Sequence, residues 1–262
     1  MLIHHGVRGS IPCANLETSK FGGNTPCVEI KTDEAQIIFD CGSGFSKVKL
    51  IEDKPTIILL SHFHHDHIQG LPFNAFNVKK QKPIYLTNGM YRKDELKNIL
   101  KKYLSPPFFP IDFIEENKFL KFVDFEEISS ICKVFDFDKI NLNHPGNASG
   151  YSLQFGNNKF CYLLDNEFES SQESELVKFC KGSNSVIWDG MYTEKELKTK
   201  KGWGHSSIEQ GIKFGEKIDL KNLIISHHSP FRTDKELDEI KLNYSNTNLM
   251  IAKENEITNI YG

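Results

Sequence analysis

Four histidines and one aspartate lie within the six positions from His62 to His67, so these residues are the first candidates for chemistry. The whole chain has 10 histidines, and chance is a poor explanation for this concentration. In a turn that leaves a strand, the spacing of His62, His64, Asp66 and His67 lets several side chains converge on one point. Imidazole and carboxylate groups bind zinc and other first-row divalent metals. The cluster predicts a metal site, although it supplies fewer than the about six ligands that two ions need.

Further donors follow short segments rich in β-branched and aromatic residues, which we predict as strands. The predicted strands cover residues 36–39, 56–60, 159–164, 185–188 and 222–225. They run, in that order, into Asp40, the histidine cluster, Asp165, Asp189 and His227. Loops at the C-terminal ends of strands gather the active sites of α/β proteins. We therefore expect the remaining ligands among His144, Asp165, His205 and His227.

Helix-like segments alternate with these strands, which favours an α/β fold. The predicted helices cover residues 92–103, 173–180, 207–217 and 234–242. Thr233 is predicted to cap the last of them, and Ser206 or Ser207 the one before it. Three prolines between residues 105 and 110 exclude a helix there. Because we find no internal repeat and no linker, we expect a single domain over residues 1–262.

The composition is typical of an ordinary globular chain, with 262 residues, 39% hydrophobic and 26% charged. No apolar segment approaches the roughly 20 residues that span a bilayer, and the N-terminus does not resemble a signal peptide. The six cysteines form no C-x-x-C pair, so we expect reduced thiols rather than disulfides. These features predict a cytoplasmic protein without a membrane partner.

The net charge of -3 argues against long nucleic acid as a partner, because phosphate binding usually requires a positive field. Two short basic segments are expected to be solvated surface, although either could form a local basic patch. They are centred on Lys79, Lys80 and Lys82, and on Lys198, Lys200 and Lys201.

Residues 61–70, with the sequence SHFHHDHIQG, resemble the [S/T]-H-x-H-x-D-H-x-x-G signature of the metallo-β-lactamase fold hydrolases. Three later segments resemble, in the expected order, the family's single-histidine, bridging-aspartate and final-histidine motifs: residues 143–146, 162–165 and 226–230. Two N-terminal segments, residues 6–12 and 21–25, are similar to the phosphodiesterase-like branch that includes RNase Z and cyclic phosphodiesterases. The resemblance covers nearly the whole chain and implies a four-layer αββα sandwich.

The resemblance also implies a ligand set for two divalent metal ions. One ion would be bound by His62, His64 and His144, and the other by Asp66, His67 and His227, with Asp165 bridging both. His65 occupies a variable position and is expected to point away, and His228 is expected to lie behind the ligands or in the pocket wall. Zinc is favoured by the donor types, with manganese or iron left open.

Two divalent ions about 3.5 to 4 Å apart activate a bridging water and polarise a phosphoryl oxygen, which predicts hydrolysis by a bridging hydroxide. Asp66 would orient that hydroxide in addition to binding metal. His205 lies in a segment, residues 202–207, that is similar to the G-H-S-T loop of the RNase Z-like branch. We expect His205 to act as a general acid or phosphate-binding cation, oriented by Asp189 and Tyr192.

Only 21 positions separate His144 from Asp165, which leaves no room for the long arm of tRNA-processing enzymes of this fold. We therefore predict a phosphodiesterase for a small or cyclic phosphodiester. Hydrolysis of a thioester, lactone or β-lactam and RNA processing remain alternatives. A diiron redox protein is a weaker alternative, because such sites usually have glutamate where His64 stands. A homodimer is left open.

Two further features concern the edge of the site. Phe108 and Phe109 could form an apolar wall over the metals, or could pack in the core. The pair His4 and His5 is predicted to be an N-terminal surface feature.

Overall fold

The computed structural model describes residues 1–74 and 81–259, so Lys79 and Lys80 of the first basic segment lie outside the described residues. One sheet of the described chain is built from the N-terminal half and a C-terminal strand. Its strands are β1 Leu2–Gly6, β2 Cys27–Lys31, β3 Gln36–Phe39, β4 Thr56–Leu60, β5 Ile84–Asn88, β6 Leu120–Phe122 and β13 Ile257–Thr258. Their order is β13-β1-β2-β3-β4-β5-β6, with β3 to β6 parallel.

The second sheet is built from the C-terminal half of the chain. Its strands are β7 Asp136–Leu142, β8 Ala148–Phe155, β9 Asn158–Leu163, β10 Ser185–Asp189, β11 Asn222–Ser226 and β12 Leu249–Ile251. Their order is β12-β11-β10-β9-β8-β7, with β9 to β12 parallel and with β7 and β8 forming an antiparallel hairpin. Each sheet therefore contains four parallel strands whose C-terminal ends lie at one edge.

The helices of the described residues lie mostly in the connections between strands. They are α1 His65–Ile68, α2 Lys93–Tyr103, α3 Phe113–Glu116, α4 Ile128–Ile131, α5 Glu173–Cys180, α6 Glu194–Leu197, α7 Ile208–Lys217 and α8 Asp234–Asn243. The side chains of Ser207 and Thr233 accept hydrogen bonds from the backbone N–H groups of Gln210 and Glu236. This confirms Thr233 as a cap and selects Ser207 over Ser206.

Three clusters of buried apolar residues show how the layers pack. One cluster lies between the two sheets and includes Ile37 of β3 and Tyr162 of β9. A second includes β9 to β11 and the helices α5, α7 and α8, and a third includes β3, β4 and α2. Successive residues of β3, Ile37 and Ile38, belong to different clusters, because neighbouring side chains of a strand point to opposite faces. The order of layers is α, β, β, α, which confirms the predicted four-layer sandwich.

The prediction for the pair His4 and His5 is wrong. Both side chains are buried within β1, and Nε2 of His5 lies 2.8 Å from a carboxylate oxygen of the fully buried Glu29 on β2. β1 is an inner strand, between β13 and β2, and residues 43–47 pack against it, so its side chains are covered. The pair is therefore part of the interior.

The structure bears on the predicted thiols and on the predicted absence of a membrane-spanning segment. All six cysteines are free thiols, and Cys13 alone among them is not fully buried. Within residues 1–74 and 81–259, no helix is long and apolar enough to cross a membrane.

Candidate metal centre

Strands of both sheets carry the predicted donors to a common edge. β4 ends at Leu60, and the turn and short helix that follow it hold His62, His64, Asp66 and His67. The remaining donors follow strands of the second sheet: His144 follows β7, Asp165 follows β9 and His227 follows β11. Both sheets therefore contribute to one site, as expected for strand ends in an α/β fold.

The first group of donors consists of His62, His64, His144 and Asp165, whose donor atoms all lie within 4.8 Å of one another. Nδ1 of His64 is 3.0 Å from Nε2 of His144. Oδ2 of Asp165 is 3.6 Å from Nε2 of His144 and 3.8 Å from Nε2 of His62. Three imidazoles and one carboxylate oxygen thus surround a single point.

The second group consists of Asp66, His67, Asp165 and His227, within the same 4.8 Å limit. Oδ1 of Asp165 is 3.1 Å from Nε2 of His227 and 3.4 Å from Nε2 of His67. Oδ2 of Asp66 is 3.3 Å from Nε2 of His227. The two carboxylate oxygens of Asp165 are therefore divided between the two groups, which is the arrangement that a bridging ligand requires.

The protonation of His62, His144 and Asp165 fits a divalent metal. Burial lowers the pKa of His62 and of His144, so both imidazoles are held neutral. Burial acts to raise the pKa of Asp165, but His227 and His67 outweigh it and hold the pKa well below its usual value. Nε2 of His62 is buried and has no hydrogen-bond partner among the residues that the structure describes. Neutral imidazole and ionised carboxylate are the ligand forms that metals bind.

Asp40 supports the second group from behind, a role that the sequence did not reveal. Its carboxylate accepts hydrogen bonds from Nδ1 of His67 at 2.8 Å, from the hydroxyl of Tyr162 at 2.7 Å, and from the backbone N–H and hydroxyl of Ser61. The bond to Nδ1 fixes the tautomer of His67 and directs Nε2 toward the donor group. The only signal in the sequence was the position of Asp40 directly after a predicted strand.

A similar contact orients His144. Its Nδ1 donates to the backbone carbonyl of Gly204 at 2.7 Å, which leaves Nε2 facing the first group. A side chain at Gly204 would collide with this imidazole, and the glycine has a positive φ of 83°. The loop before His205 therefore packs directly against a predicted ligand.

The N-terminal segment, residues 6–12, also holds Asp66 and the loop of His227. The sequence predicted no contact for this segment beyond its resemblance to the family. The backbone N–H of Ser10 donates to Oδ2 of Asp66 at 2.7 Å. The guanidinium of Arg8 is fully buried and donates to the carbonyls of Ser229 and Arg232, so it ties down the segment that follows His227. Local sequence patterns could not reveal contacts between residues so far apart.

His205 lies beside the donors and contacts a carboxylate through Nδ1, which is 2.9 Å from Oδ2 of Asp189. Burial acts to lower the pKa of His205, but Asp189 and Asp165 outweigh it and raise the pKa to about 9. The imidazole is therefore a cation near neutral pH. Its ring stacks on His227 with centroids 5.1 Å apart, and the ring of Tyr192 lies 5.9 Å away. The expected contacts with Asp189 and Tyr192 are present. His205, Asp165, Asp189 and His227 also form a third group of closely spaced donors.

The two other histidines near the cluster behave as expected. His65 is exposed, and its ring packs against Tyr103 with centroids 4.9 Å apart, so it points away from the donors. His228 is fully buried and donates to the carbonyl of Ala252 at 2.9 Å. It belongs to neither of the two donor groups predicted from the sequence.

Phe108 and Phe109 line a cavity of about 360 Å³ together with Phe73, Tyr103 and Gln69. Phe108 is 76% exposed, whereas Phe109 packs edge-on against Phe73. Phe109 therefore packs partly against the core, as one of the two expectations had it, and Phe108 faces solvent; a wall over the metals stays a prediction. The cavity borders the cluster through Tyr103, which contacts His65.

Two stacked sheets with helices outside them, and histidines and aspartates gathered at one sheet edge, define a metal-dependent hydrolase of the metallo-β-lactamase fold. The family described as Beta-lactamase superfamily domain matches residues 35–228, and the chain belongs to this family. The resemblance seen in the sequence is thus confirmed. The assignment of individual ligands and catalytic residues stays a prediction.

Relatives and solved structures agree on the fold. Ribonuclease Z from Lachnospira eligens is 24% identical in an alignment that covers 75% of this chain and 79% of the relative. The human short form of tRNase Z (ELAC1) is 16% identical and superposes with a TM-score of 0.69, covering 99% of both chains. A diphosphatase from the PhnP family is 14% identical with a TM-score of 0.65, covering 97% of this chain and 94% of the other. The similarity to relatives named Ribonuclease Z does not support the prediction that long nucleic acid is an unlikely partner of this chain.

Proposed function

We propose that this chain is a dinuclear phosphodiesterase that hydrolyses a small or cyclic phosphodiester. The observation that carries this proposal is the division of the two Asp165 oxygens between two donor groups. In this proposal His62, His64 and His144 hold one ion, Asp66, His67 and His227 hold the other, and Asp165 bridges them. The mixture of nitrogen and carboxylate donors favours zinc over magnesium or calcium, with manganese and iron as alternatives.

When bound, two such ions polarise a phosphoryl oxygen and make water nucleophilic near neutral pH. The side chain of Asp66 is placed to accept a hydrogen bond from the attacking water and so to orient it. Burial acts to raise the pKa of Asp66, but His67 and His227 outweigh it and lower the pKa, so the carboxylate is ionised. The N–H of Ser10 fixes one of its oxygens. The carboxylate of Asp66 is therefore available as a hydrogen-bond acceptor at neutral pH.

His205 is proposed to assist departure of the leaving oxygen. Asp189 fixes the imidazole through Nδ1 and favours its protonated form, which leaves Nε2 as the proton donor. Asp189 is itself held by the backbone N–H groups of Met191 and Asn166. The result is a positioned cation beside the donor groups, suited to an alkoxide that carries developing negative charge.

The connection between the two halves of the ligand set supports a small substrate. The 21 positions from His144 to Asp165 are taken up largely by β8 and β9, which pair as an antiparallel hairpin. This segment projects no arm that could hold a folded RNA. RNA processing is the second candidate function, and it is favoured by the similarity to ribonuclease Z.

The proposal is tested by metal content and substrate preference measured on one preparation. We expect elemental analysis of metal-replete protein to find close to two divalent ions per chain. We expect that preparation to hydrolyse cyclic nucleotides and bis-p-nitrophenyl phosphate in preference to thioesters and lactones. Cleavage of a precursor tRNA with much higher kcat/KM would select the second candidate. Protein without metal, or active only on thioesters, would refute the phosphodiesterase.

Replacing His205 with alanine should affect poor leaving groups more than good ones. An alkyl leaving group needs a proton in the transition state, so its hydrolysis should slow by about 10²-fold or more. The p-nitrophenolate group leaves without protonation, and we expect its hydrolysis to slow by less than about tenfold. Steady-state kinetics on a matched pair of alkyl and p-nitrophenyl diesters measures the difference. His65→Ala is the control, because His65 is an exposed histidine whose ring packs against Tyr103, away from the donors. Equal losses on both esters would remove His205 as the acid.

A further inference from the structure

Trp203 is an exposed aromatic residue placed two positions before His205. Its side chain is 57% exposed, whereas the other tryptophan, Trp188, is 1% exposed. Tryptophan is on average strongly buried, since it is the largest apolar side chain. An exposed indole next to a proposed catalytic residue therefore needs an explanation beyond packing.

The turn that carries Trp203 is held in a defined shape. The backbone N–H groups of Gly202 and Gly204 each donate to one carboxylate oxygen of Glu167, both at 2.8 Å. The two glycines have φ angles of 82° and 83°, a region in which other residues are strained. The N–H of Trp203 donates to the carbonyl of Lys200 at 3.1 Å. The indole is thus presented by a built turn rather than by a loose loop.

The same turn is joined to the donor groups. The carbonyl of Gly204 accepts the hydrogen bond from Nδ1 of His144, and Gly204 is followed directly by His205. Trp203 is therefore one residue from a contact with a proposed metal ligand and two residues from the proposed acid. The indole is therefore carried by the same short turn that contacts one proposed ligand and leads into the proposed acid.

The charge around the indole is suited to an aromatic ring that carries a phosphate. Nζ of Lys200 lies 4.0 Å from the ring centroid, which is cation–π geometry on one face of the ring. Lys201 follows it and is exposed, while the nearby carboxylate of Glu167 is occupied by the turn. Single-stranded nucleic acids and nucleotides are bound by such combinations of aromatic faces and positive charge.

We propose that Trp203 is a stacking platform for a nucleobase adjoining the scissile phosphate, so that the substrate is a nucleotide phosphodiester. This inference rests on the proposed phosphodiesterase function and narrows its substrate class. Phe231 is more exposed, at 85%, but within residues 1–74 and 81–259 no lysine is placed over its ring as Lys200 is over that of Trp203. It serves as a matched control.

Binding to the metal-loaded protein tests the platform without any turnover. We expect wild-type protein to bind adenosine 5′-monophosphate at least about tenfold more tightly than ribose 5-phosphate, by isothermal titration calorimetry. Trp203→Ala should remove this preference, Trp203→Phe should keep most of it, and Phe231→Ala should leave it unchanged. No preference in the wild type, or a preference that survives Trp203→Ala, would overturn the platform.

Kinetics then separate this inference from the proposed function and identify the source of the nucleobase. Thymidine 5′-p-nitrophenyl phosphate and methyl p-nitrophenyl phosphate share a leaving group and differ in the base. Trp203→Ala should raise KM about tenfold for the first ester alone; equal losses on both would overturn the platform. If wild-type protein hydrolyses neither ester, the phosphodiesterase proposal fails while the binding result still decides on Trp203. The same variant assayed on 3′,5′-cyclic AMP and on the dinucleotide ApA shows whether the base belongs to a cyclic nucleotide or to RNA.

Discussion

Replacing Asp66 with alanine is expected to lower kcat/KM for bis-p-nitrophenyl phosphate by about 10³-fold. Oδ2 of Asp66 lies 3.3 Å from Nε2 of His227 and accepts a hydrogen bond from the backbone N–H of Ser10. The substitution therefore removes a proposed ligand and the group proposed to orient the attacking water. Steady-state kinetics with metal-replete protein measure the loss.

Two companion variants make this experiment specific. Asp66→Asn keeps the shape and one oxygen donor, so it should retain more metal than the alanine variant while losing the negative charge that orients the water. Asp53→Ala is the control, because Asp53 is exposed in the connection before β4. Activity of Asp66→Ala close to that of the control would refute the proposed role of Asp66.

Replacing Asp165 with alanine should have the second large effect, on metal content. Because its oxygens face both donor groups, one substitution weakens both sites. We expect elemental analysis to fall from about two ions per chain to one or fewer, and turnover to fall with it. Removal of either His62 or His227 should instead weaken one site more than the other.

The control for this experiment is Asp136→Ala, because Asp136 is exposed on β7 of the same sheet. Thermal unfolding with and without added zinc adds an independent reading. The stabilisation by zinc that we expect for the wild type and the control should be strongly reduced in Asp165→Ala. Two retained ions in that variant would show that Asp165 is not a bridging ligand.

The strands that position the site could be predicted closely because their sequences leave little choice. β3 and β4 begin and end where predicted, since they are runs of β-branched and apolar residues buried on both faces. The hairpin of β7 and β8 was not predicted. Its first strand alternates exposed and buried residues, and its second contains Gly150 and two serines, so neither resembles a buried strand.

The sequence could point to the candidate donors because histidine and aspartate bind metal whichever residues surround them. The structure brings all seven together into two groups that share Asp165. Asp40, Ser10 and Arg8 were missed for a different reason. Ser10 acts through its backbone, Arg8 through carbonyls more than 200 positions away, and Asp40 through an imidazole 27 positions away. The burial of His5 was missed for the same reason, because its partner Glu29 is 24 positions away in the sequence.

The donors come from both sheets, with His62 to His67 after β4 of the first and with His144, Asp165 and His227 after strands of the second. An ion bound between them would act as a cross-link between two layers that are otherwise joined mainly by apolar packing. The free energy of binding would then become free energy that holds the layers together. The thermal stability of this protein would then depend on the metal supply of its surroundings as well as on its own core. A chelator would lower that stability without touching the core.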